Sequence, residues 1–264
     1  MAVVALDLDG VLWRGDTAIP GSAAAVDRLR AAGRRVVFVT NNSNATVAEY
    51  LTKLTRHGVP AVADDLLTSA QAAAAFLAEH LTPGAVVHAC AGPGVVEALG
   101  AVGFVVTRDP AVAVDAVVVG WHRDFDFAAI DAASAAVRAG ARFVATNTDP
   151  TYPTPTGLVP GNGALVAAVA AAAGVEPVVA GKPHAPAARL ARTRFGPIGV
   201  MVGDRSTTDA AFAEALGWPF ALVLSGVTAL AAGPGEEPVP DPAPTILGAD
   251  LAAIVDRLLE VTAD

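Results

Sequence analysis

The 264-residue chain has a single cysteine, Cys90, and few aromatic residues (5%). One cysteine excludes a disulfide framework and a cysteine-based zinc site. Basic residues are scarce beside acidic ones, 17 against 26, which leaves a net charge of −9. A duplex phosphate backbone and an anionic membrane surface both call for a basic face, so neither nucleic acid nor membrane is an expected partner. Long apolar runs are missing as well. The longest, Gly163 to Val175, is mostly Ala and Val and falls short of the ~20 residues of a membrane helix. The N-terminal Met-Ala-Val-Val-Ala-Leu-Asp has no basic start and reaches an acid at residue 7, unlike a signal peptide. The expectation is a cytoplasmic protein. Hydrophobic residues make up 53% and charged ones 16%, the reverse of a disordered chain. At ~150 residues per domain the length fits a core with one sizeable addition.

Short β-branched runs alternate with Ala/Leu-rich stretches of helical length. The pattern predicts strands at 3–6, 36–40, 86–89, 116–119, 143–145, 178–180, 198–202 and 220–224. It predicts helices at 22–32, 46–57, 93–99, 126–139, 163–173, 186–194, 208–216 and 251–260, with Ser22 as the N-cap of the first. Such alternation indicates an α/β fold with a mostly parallel sheet. Two loops stand out. Residues 146–163 are rich in Pro, Thr, Asn and Gly, and 233–245 form a Pro-rich, acidic surface excursion.

Open α/β sheets bind ligands at the C-terminal ends of their strands. The first predicted strand delivers Asp7 and Asp9, the second Thr40 and Asn41. A later one delivers Gly181 and Lys182, and another Asp204, with Asp209 one helical turn on. Any one of these residues alone is as readily a helix cap, a turn residue or a surface charge; the set at one sheet edge is what points to chemistry. Carboxylates gathered without His or Cys suit Mg²⁺, and Mg²⁺ makes a phosphate the natural guest. Lys182 offers it a point charge, and Thr40 with the following N–H groups offers hydrogen bonds. A carboxylate so placed can attack phosphorus, and a second one two residues on can protonate the leaving group and then activate water.

Four segments carry a family resemblance: Asp7-Leu-Asp-Gly-Val-Leu12, Val39-Thr-Asn-Asn-Ser43, Gly181-Lys-Pro183 and Val202-Gly-Asp-Arg-Ser-Thr-Thr-Asp209. In this order they resemble the four motifs of the haloacid dehalogenase superfamily of phosphatases. The Thr-Asn-Asn-Ser and Gly-Lys-Pro forms, and the stretch 145–163, are similar to the subgroup of NagD-like, p-nitrophenyl-phosphate, phosphoglycolate and glycerol-phosphate phosphatases. The resemblance implies a Rossmann-like core with a parallel sheet, and Mg²⁺ as cofactor. It implies Asp7 as nucleophile and metal ligand, and Asp9 as general acid/base that lends its backbone carbonyl to the metal. Asp204 is implied as the third protein ligand, and Thr40, Asn41 (through its backbone N–H) and Lys182 as phosphate ligands. Asp209 is implied to orient Lys182 or metal-bound water. The implied partner is a small phosphorylated metabolite.

Spacing locates a cap. Asp9 and Thr40 are 31 positions apart, enough for a turn, a helix and a strand, whereas Thr40 and Lys182 are 142 apart. An inserted domain is therefore expected at 71–177, with 1–70 and 178–264 forming the core. Its own strand–helix alternation predicts an α/β cap, matching the family's large cap class, which implies a homodimer formed through it. Asn147, Asp149, Tyr152 and Asn162 on the long loop are the expected substrate contacts, and Trp13 either lines the leaving-group pocket or packs between core and cap. Ser206-Thr207, His184 and Trp121-His122 depart from the subgroup's commoner residues. Gly92-Pro-Gly lacks the third glycine of a dinucleotide fingerprint, and the five histidines show no metal-ligand spacing. The competing readings are a receiver-type phosphoacceptor and a silent phosphate-binding protein. Against the first stands Asp9, since turnover requires an acid/base beside the nucleophile. A phosphonatase would need a cap lysine, and 71–177 contains none.

Overall fold

The computed structural model describes residues 3–154, 157–228 and 243–260. In chain order the strands are β1 (Val3–Leu6), β2 (Trp13–Arg14), β3 (Thr17–Ala18), β4 (Arg35–Thr40), β5 (Leu66–Thr68), β6 (Val86–Cys90), β7 (Val105–Thr107), β8 (Ala116–Val119), β9 (Arg142–Ala145), β10 (Thr151–Thr154), β11 (Gly157–Pro160), β12 (Val178–Val179), β13 (Gly199–Gly203), β14 (Phe220–Val223) and β15 (Ile246–Gly248). The helices are α1 (Ser22–Ala31), α2 (Val47–Arg56), α3 (Ser69–Ala78), α4 (Pro93–Ala101), α5 (Phe127–Arg138), α6 (Asn162–Ala173), α7 (Ala185–Phe195), α8 (Ala211–Leu216) and α9 (Leu251–Glu260). None of the described helices is long and apolar enough to cross a membrane.

Two parallel sheets organise the chain. The first has the order β15-β14-β13-β1-β4-β5, the second β12-β9-β8-β6-β7. In the first, β1 pairs in parallel with β13 on one side and β4 on the other. Strand order thus reverses at β1, and the crevice beyond its C-terminal end is where such sheets take ligands. Alternating residues of the central strands feed opposite layers. Val3, Ala5, Val37 and Val39 join α3, α7 and α8, while Val4, Leu6, Val36 and Phe38 join α1, α2 and α9. Burial on both faces explains why these strands read as unbroken apolar runs.

The first of these layers continues into the second sheet. Ala72, Ala73, Phe76 and Leu77 of α3 share one apolar cluster with Val37 and Val39 of the first sheet and with Val87, Ala89, Val118 and Val144 of the second. The other face of the second sheet, with Val117, Val119 and Phe143, packs on Val137 of α5 and Val166 and Val169 of α6. The helix between the sheets, α3, is absent from the sequence expectation. Its partly exposed face, Gln71, Ala75 and Ala78, is mostly alanine rather than polar, so helical periodicity does not mark it. Its start was nevertheless written in the sequence, as the capping box of Thr68 and Gln71.

Position 71 falls inside α3, and β12, which begins past 177, pairs with β9 of the second sheet. The loop 146–163 contains the antiparallel hairpin β10–β11. Ser22 is the first helical residue of α1, not its cap: Gly21, at φ 82°, takes the cap position, a conformation glycine adopts without strain. The helix expected from 208 begins as a π-helical turn, Ser206–Ala210, before α8. Most of the 233–245 excursion lies outside the described residues.

Phe38 is fully buried under α1 and α2 beside the strand end that carries Thr40. Its replacement by Ala is expected to cost about 3–5 kcal/mol, read as a lower midpoint in urea unfolding with an unchanged m-value.

Candidate active site

Four chain segments converge on the crevice beyond β1. Asp7 follows β1 directly, and its N–H still bonds to Val202 O of β13 at 2.9 Å, so the ladder itself aims the residue. Two residues on, the Asp9 carboxylate accepts the Trp13 indole N–H at 3.1 Å. Gly10 between them sits at φ 87°, and a Cβ there would run into the Asp204 carboxylate. At the end of β4 the Thr40 hydroxyl accepts the Asn42 N–H at 3.1 Å, which curls the backbone around the site.

Lys182 is the centre of the cluster. Its side chain is buried, and its ammonium donates to Asp209 Oδ1 at 2.6 Å, Asp7 Oδ1 at 2.9 Å and Val39 O at 3.1 Å. Burial would push this ammonium down, but Asp209 and Asp7 outweigh it and hold Lys182 above its ordinary range. The second Asp209 oxygen accepts the N–H groups of Asp204 and Arg205, both at 3.1 Å. Gly203 leaves the room this requires, since a Cβ there would overlap the Asp209 carboxylate. Asp209 is thus committed to neighbours on every side.

Asp7 and Asp204 are not. Burial, reinforced by Asp209 and Asp204, lifts the Asp7 carboxyl well above its usual range despite Lys182. Asp204 is pushed up to about 7, first by burial and then by Asp209. One of its oxygens accepts the Val227 N–H at 2.5 Å; the other, Oδ1, is buried and has no partner among the described residues. Oxygens of Asp7, Asp204 and Asp209 lie within 4.8 Å of one another. An orphaned buried carboxylate oxygen in an all-oxygen donor set is what a hard divalent cation would satisfy. The residues present therefore fit such an ion, with Asp7 and Asp204 as its side-chain ligands. Burial also raises the Asp9 carboxyl, against Lys53 and the Trp13 hydrogen bond.

A cavity of about 300 Å³ opens onto this cluster. Asp7, Asp9, Thr40, Asn41 and Asp204 line it from the first sheet, and Lys182, Asn147, Asp149, Tyr152 and Asn162 from the second sheet's segments. Eleven of the twelve site residues expected from sequence are thereby brought to one place, counting Asp209 behind Lys182. Trp13 is the exception and a correction. It is fully buried in the core, stacks at 5.2 Å on His57, lies under Lys53 at 4.3 Å, and reaches the site only through Asp9. Its flat, apolar bulk fills the layer beneath the loop, leaving only the indole N–H to act.

Of the three motif departures, Trp121 lines the cavity and stacks on Tyr152 at 5.0 Å, whereas His122 and His184 are absent from its lining. Arg14, Asn42, Arg205 and Val227 also line it and were not singled out from sequence. The strand-end rule applied to β14 would have found the Gly226-Val227 turn. Arg205 lay inside a quoted motif, but nothing in the sequence told a cavity guanidinium from a solvated one.

Comparisons with known proteins agree with this geometry. Residues 4–105 match the family model for haloacid dehalogenase-like hydrolases, and residues 179–253 match a second one of HAD-hydrolase-like type. The chain is 39% identical over 251 residues to a D-glycerol 3-phosphate phosphatase of Mycobacterium tuberculosis, covering 94% of this chain and 69% of that protein. It is 36% identical to human chronophin over 244 residues, covering 86% and 82%. Among solved structures, the M. tuberculosis glycerol phosphate phosphatase in complex with magnesium superposes with a TM-score of 0.85 at 38% identity, over 95% of this chain and 76% of that one. A p-nitrophenyl phosphatase from Archaeoglobus fulgidus gives 0.87 at 30%, over 96% and 98%. With the aspartate cluster, the buried lysine and the α/β core in place, the chain belongs to the haloacid dehalogenase-like hydrolases and is a phosphoric monoester hydrolase.

Proposed function

We propose that the protein hydrolyses small phosphate monoesters of the glycerol-phosphate or sugar-phosphate type, with Mg²⁺ as cofactor and Asp7 as the covalent nucleophile. The observation that carries this reading is the Asp7 carboxylate, held at 2.9 Å by a buried lysine, within 4.8 Å of an Asp204 oxygen and opening onto the cavity. Mg²⁺, held by Asp7, Asp204 and the backbone carbonyl of Asp9, would offset charge that builds on the phosphoryl oxygens. Lys182 and the hydrogen-bond donors of Thr40 and the Asn41 N–H would hold the same group. A carboxylate oxygen of Asp7 attacks phosphorus as the ester oxygen departs, and Asp9, whose carboxyl burial raises above its ordinary range, gives that oxygen its proton. Asp9 then takes a proton from the water that cleaves the acyl phosphate, restoring Asp7.

The second sheet and its hairpin act as the cap in this reading, from β6 to β12. The cavity volume and its lining by Arg14, Asn42, Asp149 and Tyr152 suit a short polar leaving group. Glycerol phosphate is favoured by the names of the relatives. A cytoplasmic setting and pairing of two copies through the cap complete the reading. The pairing is supported by Phe127, 83% exposed at the start of α5; a single species of twice the chain mass in light scattering is expected.

Phosphate release is expected from glycerol 3-phosphate and p-nitrophenyl phosphate with Mg²⁺, none with chelator, and at least a 10³-fold loss on the order of what removing a covalent nucleophile costs for Asp7→Asn. A stable phosphoryl adduct on Asp7 without turnover would overturn the hydrolase mechanism in favour of a phosphoacceptor.

Metal binding should also appear in stability. With the folded-state Asp204 pushed up to about 7 from an ordinary 3.8, the metal-free fold is favoured by holding that proton. This contribution is fully present below about pH 4 and is lost as the pH rises through 7. The cation competes with the same proton. Mg²⁺ at a hundredfold excess over Kd is expected to add about 2.7 kcal/mol at pH 8 and clearly less at pH 5, read as the shift in Tm. An equal shift at both pH values would exclude Asp204 as a ligand.

A further inference from the structure

Asn41 joins two parts of the cavity that come from different sheets. Its side-chain carbonyl accepts the Lys182 N–H at 2.8 Å and its amide donates to Lys182 O at 3.0 Å, so one side chain grips both backbone groups of the lysine. The amide donates again, to Asp149 Oδ2 at 3.2 Å. The Asn41 backbone carbonyl accepts Asn147 Nδ2 at 2.7 Å and Ser69 Oγ at 2.5 Å. Asn147 in turn takes the Asp149 N–H at 3.1 Å. Asn147 and Asp149 follow β9 of the second sheet; Asn41 follows β4 of the first. Gly181 makes the contact possible, since a Cβ there would collide with Asn41 Oδ1 and Thr146 O.

A continuous path therefore runs from the Asp149 carboxylate through the Asn41 amide to the Lys182 peptide, and from there to the ammonium on Asp7. Every hydrogen-bonding atom of the Asn41 side chain is used along it. Asp149 and Lys182 follow β9 and β12 of the second sheet, whereas Asn41 and Asp7 follow β4 and β1 of the first, so the Asn41 side chain is where the path crosses between the sheets. An amide that loses a partner turns about χ2, a broad torsion, and the Lys182 backbone would then lose two well-formed bonds.

We propose that Asp149 is a positioning residue: by holding the Asn41 amide it fixes the Lys182 main chain, and with it the alignment of the lysine on the phosphoryl group. This rests on the phosphatase reading above. What Asp149 supplies is an acceptor, not a charge.

The test is steady-state hydrolysis of p-nitrophenyl phosphate at saturating Mg²⁺, with amide hydrogen exchange of the peptide spanning 180–184 measured on the same full-length variants. Asp149→Ala is expected to lower kcat about tenfold, since small misplacements of a phosphate ligand are costly, with KM changed less than threefold, and to lower protection at 180–184. Asp149→Asn, whose carbonyl still accepts from Asn41, is expected to recover most of both. The double variant Asn41→Ala/Asp149→Ala should be no slower than Asn41→Ala alone, as expected for two members of one path. The proposal is overturned if Asp149→Asn is as impaired as Asp149→Ala, if the loss lies in KM alone, if the two losses multiply, or if exchange at 180–184 is unchanged in Asp149→Ala. The exchange measurement decides the positioning role even in a protein that fails to turn over, and that failure would count against the phosphatase reading separately.

Discussion

The buried ammonium of Lys182 is the interaction on which the site depends. Without it, Asp7 and Asp209 would face each other inside the protein with no water to screen them, and burying unpaired carboxylates is among the costliest things a fold can do. With it, Asp209 is fully satisfied, by the lysine on one oxygen and by two backbone N–H groups on the other. The excess negative charge is left on Asp7 and Asp204, two of the carboxylates that line the cavity. The fold thus leaves its electrostatic debt where a cation and a phosphoryl group would discharge it.

Placing that ammonium takes the whole topology. Lys182 emerges from the end of β12 in the second sheet, yet its side chain lies between β1, β4 and the π-helical turn of the first. Reaching across requires the two sheets to share an apolar layer, and α3 provides it, with Ala72, Ala73, Phe76 and Leu77 packed against strands of both. The same arrangement brings the second sheet's 146–152 and 161–162 segments over the cavity. Packing and catalysis are coupled here at the level of single side chains: Gly181, Gly203 and Gly10 are small because Asn41, Asp209 and Asp204 occupy the space a Cβ would need.

The chemistry of this protein was legible in its sequence because it is local and typed. Asp7 and Asp9, Thr40 and Asn41, Gly181 and Lys182, Asp204 and Asp209 each sit at the end of an apolar strand, and the sheet-edge rule converts that position into proximity. Strands buried on both faces announce themselves as apolar runs, so the parallel sheet followed as well. Tertiary structure alone decided what depends on side chains meeting at long range. Trp13 turned out to pack in the core, because a bulky ring beneath a loop buries wherever the layer below has room. The α3 helix stayed hidden because alanines occupy most of its partly exposed face and leave no polar stripe to read. Arg14, Arg205 and the Asn41–Asp149 bond across 108 residues came into view only with the fold: sequence specifies which groups a chain carries, whereas which of them share a cavity is set by how the sheets pack.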